Sequence, residues 1–142
     1  MASANRGEAD GGIYGARRRG LAGFGPLLAA VGAMRLRADV GEHEAQRELA
    51  KVLDAAGIGY EKECPVGPGM RIDFLLDDGT GVEVKRGRPA LGPLMRQAGR
   101  YMGSGRLRRL AVLSERGVRL PGEILGKPCI SVGMSKSWGM GV

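Results

Sequence analysis

The chain has 142 residues, two cysteines, one histidine and a formal charge of +7, with a pI near 10.0. That length fits one domain with a modest core. Two cysteines far apart in sequence, Cys64 and Cys129, exclude a disulfide framework and a four-cysteine metal cluster and point to a reducing cytoplasm; the positive charge points to an anionic partner.

No stretch reaches the roughly eighteen uninterrupted apolar residues of a membrane span. Residues 1–20 are small, polar and glycine-rich, with the basic run Arg17-Arg18-Arg19, and read as disordered. Leu21–Met34 is more apolar, but Gly23, Gly25, Pro26 and Gly32 interrupt it, so it reads as a weak helix or ordered arm rather than a signal peptide. Residues 1–40 are therefore expected to form a flexible, basic, Gly-rich arm, residues 41–133 the folded domain, and residues 134–142 a tail in which Trp138 has no evident partner. Met34 is a candidate translation start, which would place residues 1–33 outside the native protein.

From Glu42 to Ala56 the residues Ala45, Leu49, Val52, Leu53 and Ala56 recur at helical spacing, and Gly57 follows as a stop signal. Glu44 and Glu48 lie one turn apart beside this stripe. Ile58–Cys64 reads as a strand, with Glu61 and Glu63 either the charges of an edge strand or further oxygen donors. Pro65–Gly69 reads as a loop.

Arg71–Lys85, RIDFLLDDGTGVEVK, alternates with period two on both sides of the turn signal Asp77–Gly81 and predicts an antiparallel hairpin. Ile72, Phe74 and Leu76 should share a buried face with Val82 and Val84, because side chains two apart lie on the same side of a strand. The opposite face then carries Arg71, Asp73, Glu83 and Lys85, with Asp73 roughly across from Glu83. Like charges facing each other destabilise a sheet. Two readings are open: Arg71 and Lys85 neutralise a solvated face, or a divalent cation joins the two hard oxygen donors, as Mg²⁺ commonly does with waters and a substrate phosphate. In the second reading Lys85 reaches the same spot and orients or activates a water.

Leu91–Met102 predicts a helix beginning around Pro93, with Leu94, Ala98 and Tyr101 on one side and Gln97 one turn from Tyr101. Leu107–Leu113 and Cys129–Val132 read as strands. Arg116–Lys127 between them reads as a loop with one helical turn at Pro121–Leu125. Helix, strand, hairpin, helix and strands in this order predict an α/β domain with a mixed sheet.

Eight basic residues and no acid lie between Val84 and Ser114: Lys85, Arg86, Arg88, Arg96, Arg100, Arg106, Arg108 and Arg109. Such a run suggests salt-sensitive phosphate contacts. No GxxxxGK[ST] loop is present.

Asp73, nine residues, then Glu83-Val84-Lys85, with a glutamate-bearing helix before and Gln97-Ala-Gly-Arg-Tyr101 after, resembles the PD-(D/E)XK nuclease superfamily and the QxxxY element of its RecB-like branch. The resemblance spans about Glu42 to about Val132; Ile72 stands where the name-giving proline would be. It implies a restriction-endonuclease-like core, a mixed β-sheet flanked by helices, and Mg²⁺- or Mn²⁺-dependent hydrolysis of DNA. It further implies that Asp73, Glu83 and the Val84 carbonyl hold the cation with help from Glu44, Glu48 being the reserve candidate, and that Gln97 and Tyr101 approach the site and the nucleic acid. Arg86, Arg88, Arg96, Arg100, Arg106 and Arg108 are then expected to hold the backbone. Domains this small rarely grip a duplex alone, which suggests a homodimer or a partner protein. The competing readings are a non-catalytic basic nucleic-acid-binding module and a basic scaffold for an acidic protein.

Overall fold

A computed structural model describes residues 12–135 and residue 138. In chain order these form β1 (Ile13–Gly15), α1 (Arg19–Ala22), α2 (Gly25–Val31), α3 (Glu42–Ala55), β2 (Tyr60–Gly67), β3 (Met70–Leu76), β4 (Thr80–Lys85), α4 (Leu91–Gly103), β5 (Arg109–Ser114), β6 (Glu123–Ile124) and β7 (Lys127–Gly133). The fold is mixed α/β. The sheet runs β1-β7-β5-β4-β3-β2, with β6 paired to β7 off that path.

Its centre is parallel: β5 pairs with β4 on one side and β7 on the other. Parallel strands covered on both faces need apolar residues at every position, and Leu110, Ala111, Val112 and Leu113 are all buried. One face packs Phe74, Leu76, Val82, Val84, Ala111, Leu113, Ile130 and Val132 against α2 and α3. The other packs Ile72, Leu110, Val112 and Cys129 against Leu94, Ala98, Tyr101 and Met102 of α4. Helices therefore cover both sides of the sheet. No helix among the described residues is long and apolar enough to cross a membrane.

Residues 12–40 are not a flexible arm. β1 adds an antiparallel edge to β7, and Phe24, Leu27, Val31, Met34 and Leu36 are buried in the larger core cluster. The glycines that seemed to interrupt this segment are helix ends: Gly23 caps α1 and Gly32 caps α2, and Pro26 sits in the first turn of α2, where a missing N–H costs nothing. Trp138, expected to lack a partner, is 2% exposed and bridges to Leu36. Residues 1–11, 136–137 and 139–142 lie outside the described residues.

Three boundaries also differ. β2 continues through Pro65 to Gly67, so the expected Pro65–Gly69 loop shrinks to the turn before Met70; Pro65 is tolerated because β2 is the sheet edge. Pro121–Leu125 holds no helical turn; it enters a tight β6–β7 hairpin whose turn residues Leu125 and Gly126 both have positive φ. Ile72 leaves the face assigned to it and packs with Cys64 and α4, away from Phe74. The strands switch sides between Lys62/Phe74 and Cys64/Ile72, where Glu63 takes a left-handed φ of 53°.

Phe24 is fully buried and carries Arg109 over its ring, 6.0 Å from the centroid. Phe24→Ala is expected to cost roughly 3–5 kcal/mol of unfolding free energy. Urea denaturation reads the loss, and a cost of a few tenths would show that the N-terminal segment is not integral to the core.

Candidate active site

The hairpin places two acids side by side at the end of β4. The β3–β4 ladder is formed at Phe74↔Val82 and Leu75↔Gly81, and the next residues in that register are Asp73 and Glu83. There a side chain replaces a backbone acceptor: the Val84 N–H donates to Asp73 Oδ2 at 2.8 Å, and the Asp73 N–H donates to Glu83 Oε1 at 3.3 Å. Each acid is held by the other's strand.

α4 supplies the lid over Glu83. Gln97 and Tyr101 are four apart and point the same way, so the Gln97 amide donates to the Tyr101 hydroxyl at 3.1 Å and approaches Glu83 Oε2 at 3.4 Å. The Tyr101 hydroxyl lies 3.0 Å from the Arg71 carbonyl and 3.3 Å from Glu83 Oε1; it has one proton and can donate to only one of them at a time. Lys85 Nζ is 3.5 Å from Glu83 Oε2. Glu83 is 6% exposed, yet its four polar neighbours, the Asp73 N–H, Gln97, Tyr101 and Lys85, all stand beyond the usual 2.9–3.0 Å of an N–H···O bond. The carboxylate is surrounded but loosely held.

Ionisation of both acids is correspondingly disfavoured. Burial, reinforced by the negative charge of Asp73 and opposed by Lys85, raises Glu83 from 4.5 to about 7. Burial also raises Asp73, against the Val84 N–H, with Glu63 and Glu42 adding negative charge nearby. Burial and the two carboxylates push the Tyr101 hydroxyl up as well, keeping it a neutral donor.

The acids expected from the helix are placed differently. Glu44 is exposed and pairs with Arg47, whose guanidinium and hydrogen bond hold its carboxyl below the usual range, and Glu48 lies 3.9 Å from Lys51. Both of these partners lie on α3 itself. Glu42, at the first residue of α3, reaches the residue after β4: its Oε2 accepts the Arg86 N–H at 2.9 Å, and its charge is felt at Asp73. Continuing the buried stripe Leu53, Leu49, Ala45 one turn towards the N-terminus lands on Glu42, which is the signal in the sequence that would have found it.

The basic run divides into three groups. Lys85 and Arg100 belong to the side of the acid pair, both lining a cleft there, and Arg96 is exposed on α4, one turn before Arg100. Arg86 and Arg88 tie loops together: Arg86 donates to the Ala38 carbonyl at 2.6 Å and lies 3.6 Å from Glu115, and Arg88 donates to the Gly117 carbonyl at 3.2 Å. Arg108 and Arg109 sit towards the other end of the β4–β5 pair. Thr80 is in register with Arg109 and Lys85 with Ser114, a separation of about 17 Å along the strand. Arg109 there binds Asp78 and Thr80 and Arg108 lies over Gly79, whereas the Arg106 side chain reaches back to donate to the Pro65 carbonyl at 3.2 Å, level with Arg71.

Compared with known protein families, curated proteins and solved structures, the chain matches none. Among the described residues no group of three His, Cys, Asp or Glu side chains converges as a ready-made metal cage. What the site offers a divalent cation is two carboxylates whose mutual repulsion and burial a cation would relieve, a donor set of hard oxygens that fits Mg²⁺ or Mn²⁺ when waters and phosphate complete the shell.

Glu83 binds its proton more tightly folded than unfolded. Its contribution to stability is therefore largest below pH 4.5, falls as pH rises from 4.5 to about 7, and is constant above. The full fall is roughly 3 kcal/mol for a shift of this size. Chemical denaturation of the metal-free protein across this window should show the decline, and Glu83→Gln should flatten it; parallel slopes for the two proteins would mean that Glu83 is not the group responsible.

Proposed function

We propose that the chain is a divalent-metal-dependent nuclease that hydrolyses DNA phosphodiester bonds, with a restriction-endonuclease-like core of the PD-(D/E)XK kind. The observation that carries this reading is the acid pair: Asp73 and Glu83, locked together by hydrogen bonds to each other's backbone or neighbour, with Lys85 beside Glu83. An antiparallel hairpin leading into the β4–α4–β5 parallel crossover supports the fold assignment, as does the Gln97–Tyr101 pair hydrogen-bonded around Glu83.

Asp73 and Glu83, with the Val84 carbonyl, are the residues that would hold Mg²⁺ or Mn²⁺, and Glu42 replaces Glu44 as the helix acid close to them. Such a cation supplies acidification of water and stabilisation of charge on the phosphate. The other roles belong to the chain. Lys85 donates to and orients the attacking water on the side of Glu83 and helps balance the pair's charge. Gln97 and Tyr101 stand over Glu83 and limit the positions its oxygens can take during reaction. Arg96 and Arg100 attract the DNA backbone, while Arg86 and Arg88 hold the loop that carries Lys85 into α4.

Incubation of plasmid, linear duplex, single-stranded and branched DNA with Mg²⁺ or Mn²⁺ tests the reading. Asp73→Asn and Lys85→Ala should each lower cleavage on the order of 10²-fold or more while binding changes little. Cleavage that persists in excess EDTA, or that both variants retain, defeats it, and salt-sensitive binding without any cleavage points instead to a non-catalytic nucleic-acid-binding module.

Glu42→Gln and Glu44→Gln form a matched pair of equal charge change. The first is expected to lower cleavage and to weaken the rise in melting temperature that Mn²⁺ gives at pH 8, and the second to leave both unchanged. The opposite ranking would return the helix role to Glu44.

A further inference from the structure

The segment after Lys85 turns into α4 through Pro89 and Pro93, and proline fixes φ at both points, so the chain here is a stiff rim. Behind it lies a cleft of about 300 Å³. Pro89, Ala90, Pro93 and Leu94 give it apolar lining, and Lys85, Gln97 and Arg100 its polar groups. None of the residues lining it is acidic. Small-molecule sites have this make-up, an apolar wall with a few convergent polar groups.

Lys85 and Gln97 are the same two residues that approach Glu83 Oε2, at 3.5 and 3.4 Å. The cleft therefore borders the acid pair through these two side chains, and two of its lining residues, Lys85 and Arg100, are cationic. Its chemistry suits a ligand that is anionic where it meets Lys85 and flat, largely apolar and hydrogen-bonding along the wall. A phosphate with its attached sugar and base has that character, and Gln97 can bond the edge of a base or a sugar oxygen. Inside an intact duplex a base is held in the stack and presents only its groove edges; a base can enter a cleft beside a backbone site only when it is unpaired or splayed out.

We propose that this cleft is a subsite for the sugar and base of one unpaired nucleotide next to the phosphate held at the acid pair, so that the chain acts on single-stranded or frayed DNA and not on the interior of a duplex. The assignment rests on the nuclease reading for its phosphate position, but its test does not require cleavage.

Methyl-labelled protein in EDTA is titrated with thymidine 5′-monophosphate and, separately, with inorganic phosphate. The Ala90 and Leu94 methyls are expected to shift with the nucleotide and not with phosphate, and the Val132 methyl, in the opposite core cluster, with neither. Equal shifts from both ligands, or none, overturn the subsite. A second measurement uses Ala90→Leu, which narrows the cleft without adding charge or a stacking ring, removes no side-chain cap and keeps the Ala90 carbonyl that accepts the Leu94 N–H. Its affinity for a short oligothymidine should fall about ten-fold, the scale of losing one base contact, while affinity for a closed hairpin duplex stays within about two-fold. Equal losses for both DNAs, or no loss for either, count against the proposal. Should the wild-type chain cleave no DNA yet keep this discrimination, the nuclease reading falls and the subsite stands. Cleavage of intact circular duplex as fast as of single strands would leave the nuclease and remove the subsite.

Discussion

The constraint on which the site depends is the substitution of a carboxylate for a backbone carbonyl. At Phe74↔Val82 the hairpin is an ordinary ladder. Just beyond it, the Val84 N–H finds Asp73 Oδ2 instead of a main-chain oxygen. A buried N–H left without an acceptor costs as much as a lost hydrogen bond or more, so Asp73 is bound into the sheet's own hydrogen bonding. Its carboxylate cannot swing away from Glu83 to relieve their repulsion without orphaning Val84. That is why an acid pair survives here beside two apolar core clusters.

Glu83 is fixed from the other direction. Its strand is central, with β5 parallel on one side and α4 above, and burial alone would make an isolated carboxylate there choose the neutral form. The helix answers with neutral donors from Gln97 and Tyr101 and the hairpin with one cation, Lys85. A stronger cationic partner would settle Glu83 as a structural ion pair. The weaker set leaves it near the point of ionising, where a second positive charge brought by a ligand has the greatest effect on it.

Much of this was legible in the sequence because it is local. Period-two alternation around Asp77–Gly81 identifies the hairpin, and a four-residue spacing puts Gln97 and Tyr101 together. What was not legible depends on where elements meet. The rotation of α3 against the sheet decides between Glu42 and Glu44, and Ala45, Leu49 and Leu53 contain that information only once they are known to be the fully buried line. Arg108 and Arg109 look like a continuation of the basic run, but a parallel crossover returns the chain to the start of the neighbouring strand, carrying them to the far end from Lys85. The N-terminal segment was misread because Gly23, Pro26 and Gly32 look like disorder in composition and act as helix punctuation in space. Trp138 is tied to the fold by a contact distant in sequence, its bridge to Leu36 about a hundred residues earlier.

The least expected feature, the left-handed φ of Glu63, follows from the same geometry. A non-glycine residue there costs about 1–3 kcal/mol, and such strain persists only where the surrounding structure requires it. Lys62 and Phe74 face the α2–α3 side, with the Lys62 ammonium 5.5 Å from the Phe74 ring centre, whereas Cys64 and Ile72 face α4. A regular strand pair cannot do both, since residues two apart share a face. The half-turn taken at Glu63, opposite Asp73, switches the two strands together, fills the space under α4 with Ile72, and leaves Asp73 at the crossover, where its side chain can reach across to β4. Glycine at residue 63 would adopt this conformation without strain, but it would remove a carboxylate whose charge contributes to the field at Asp73. The bend in the edge strand and the electrostatics of the acid pair are thus served by one residue.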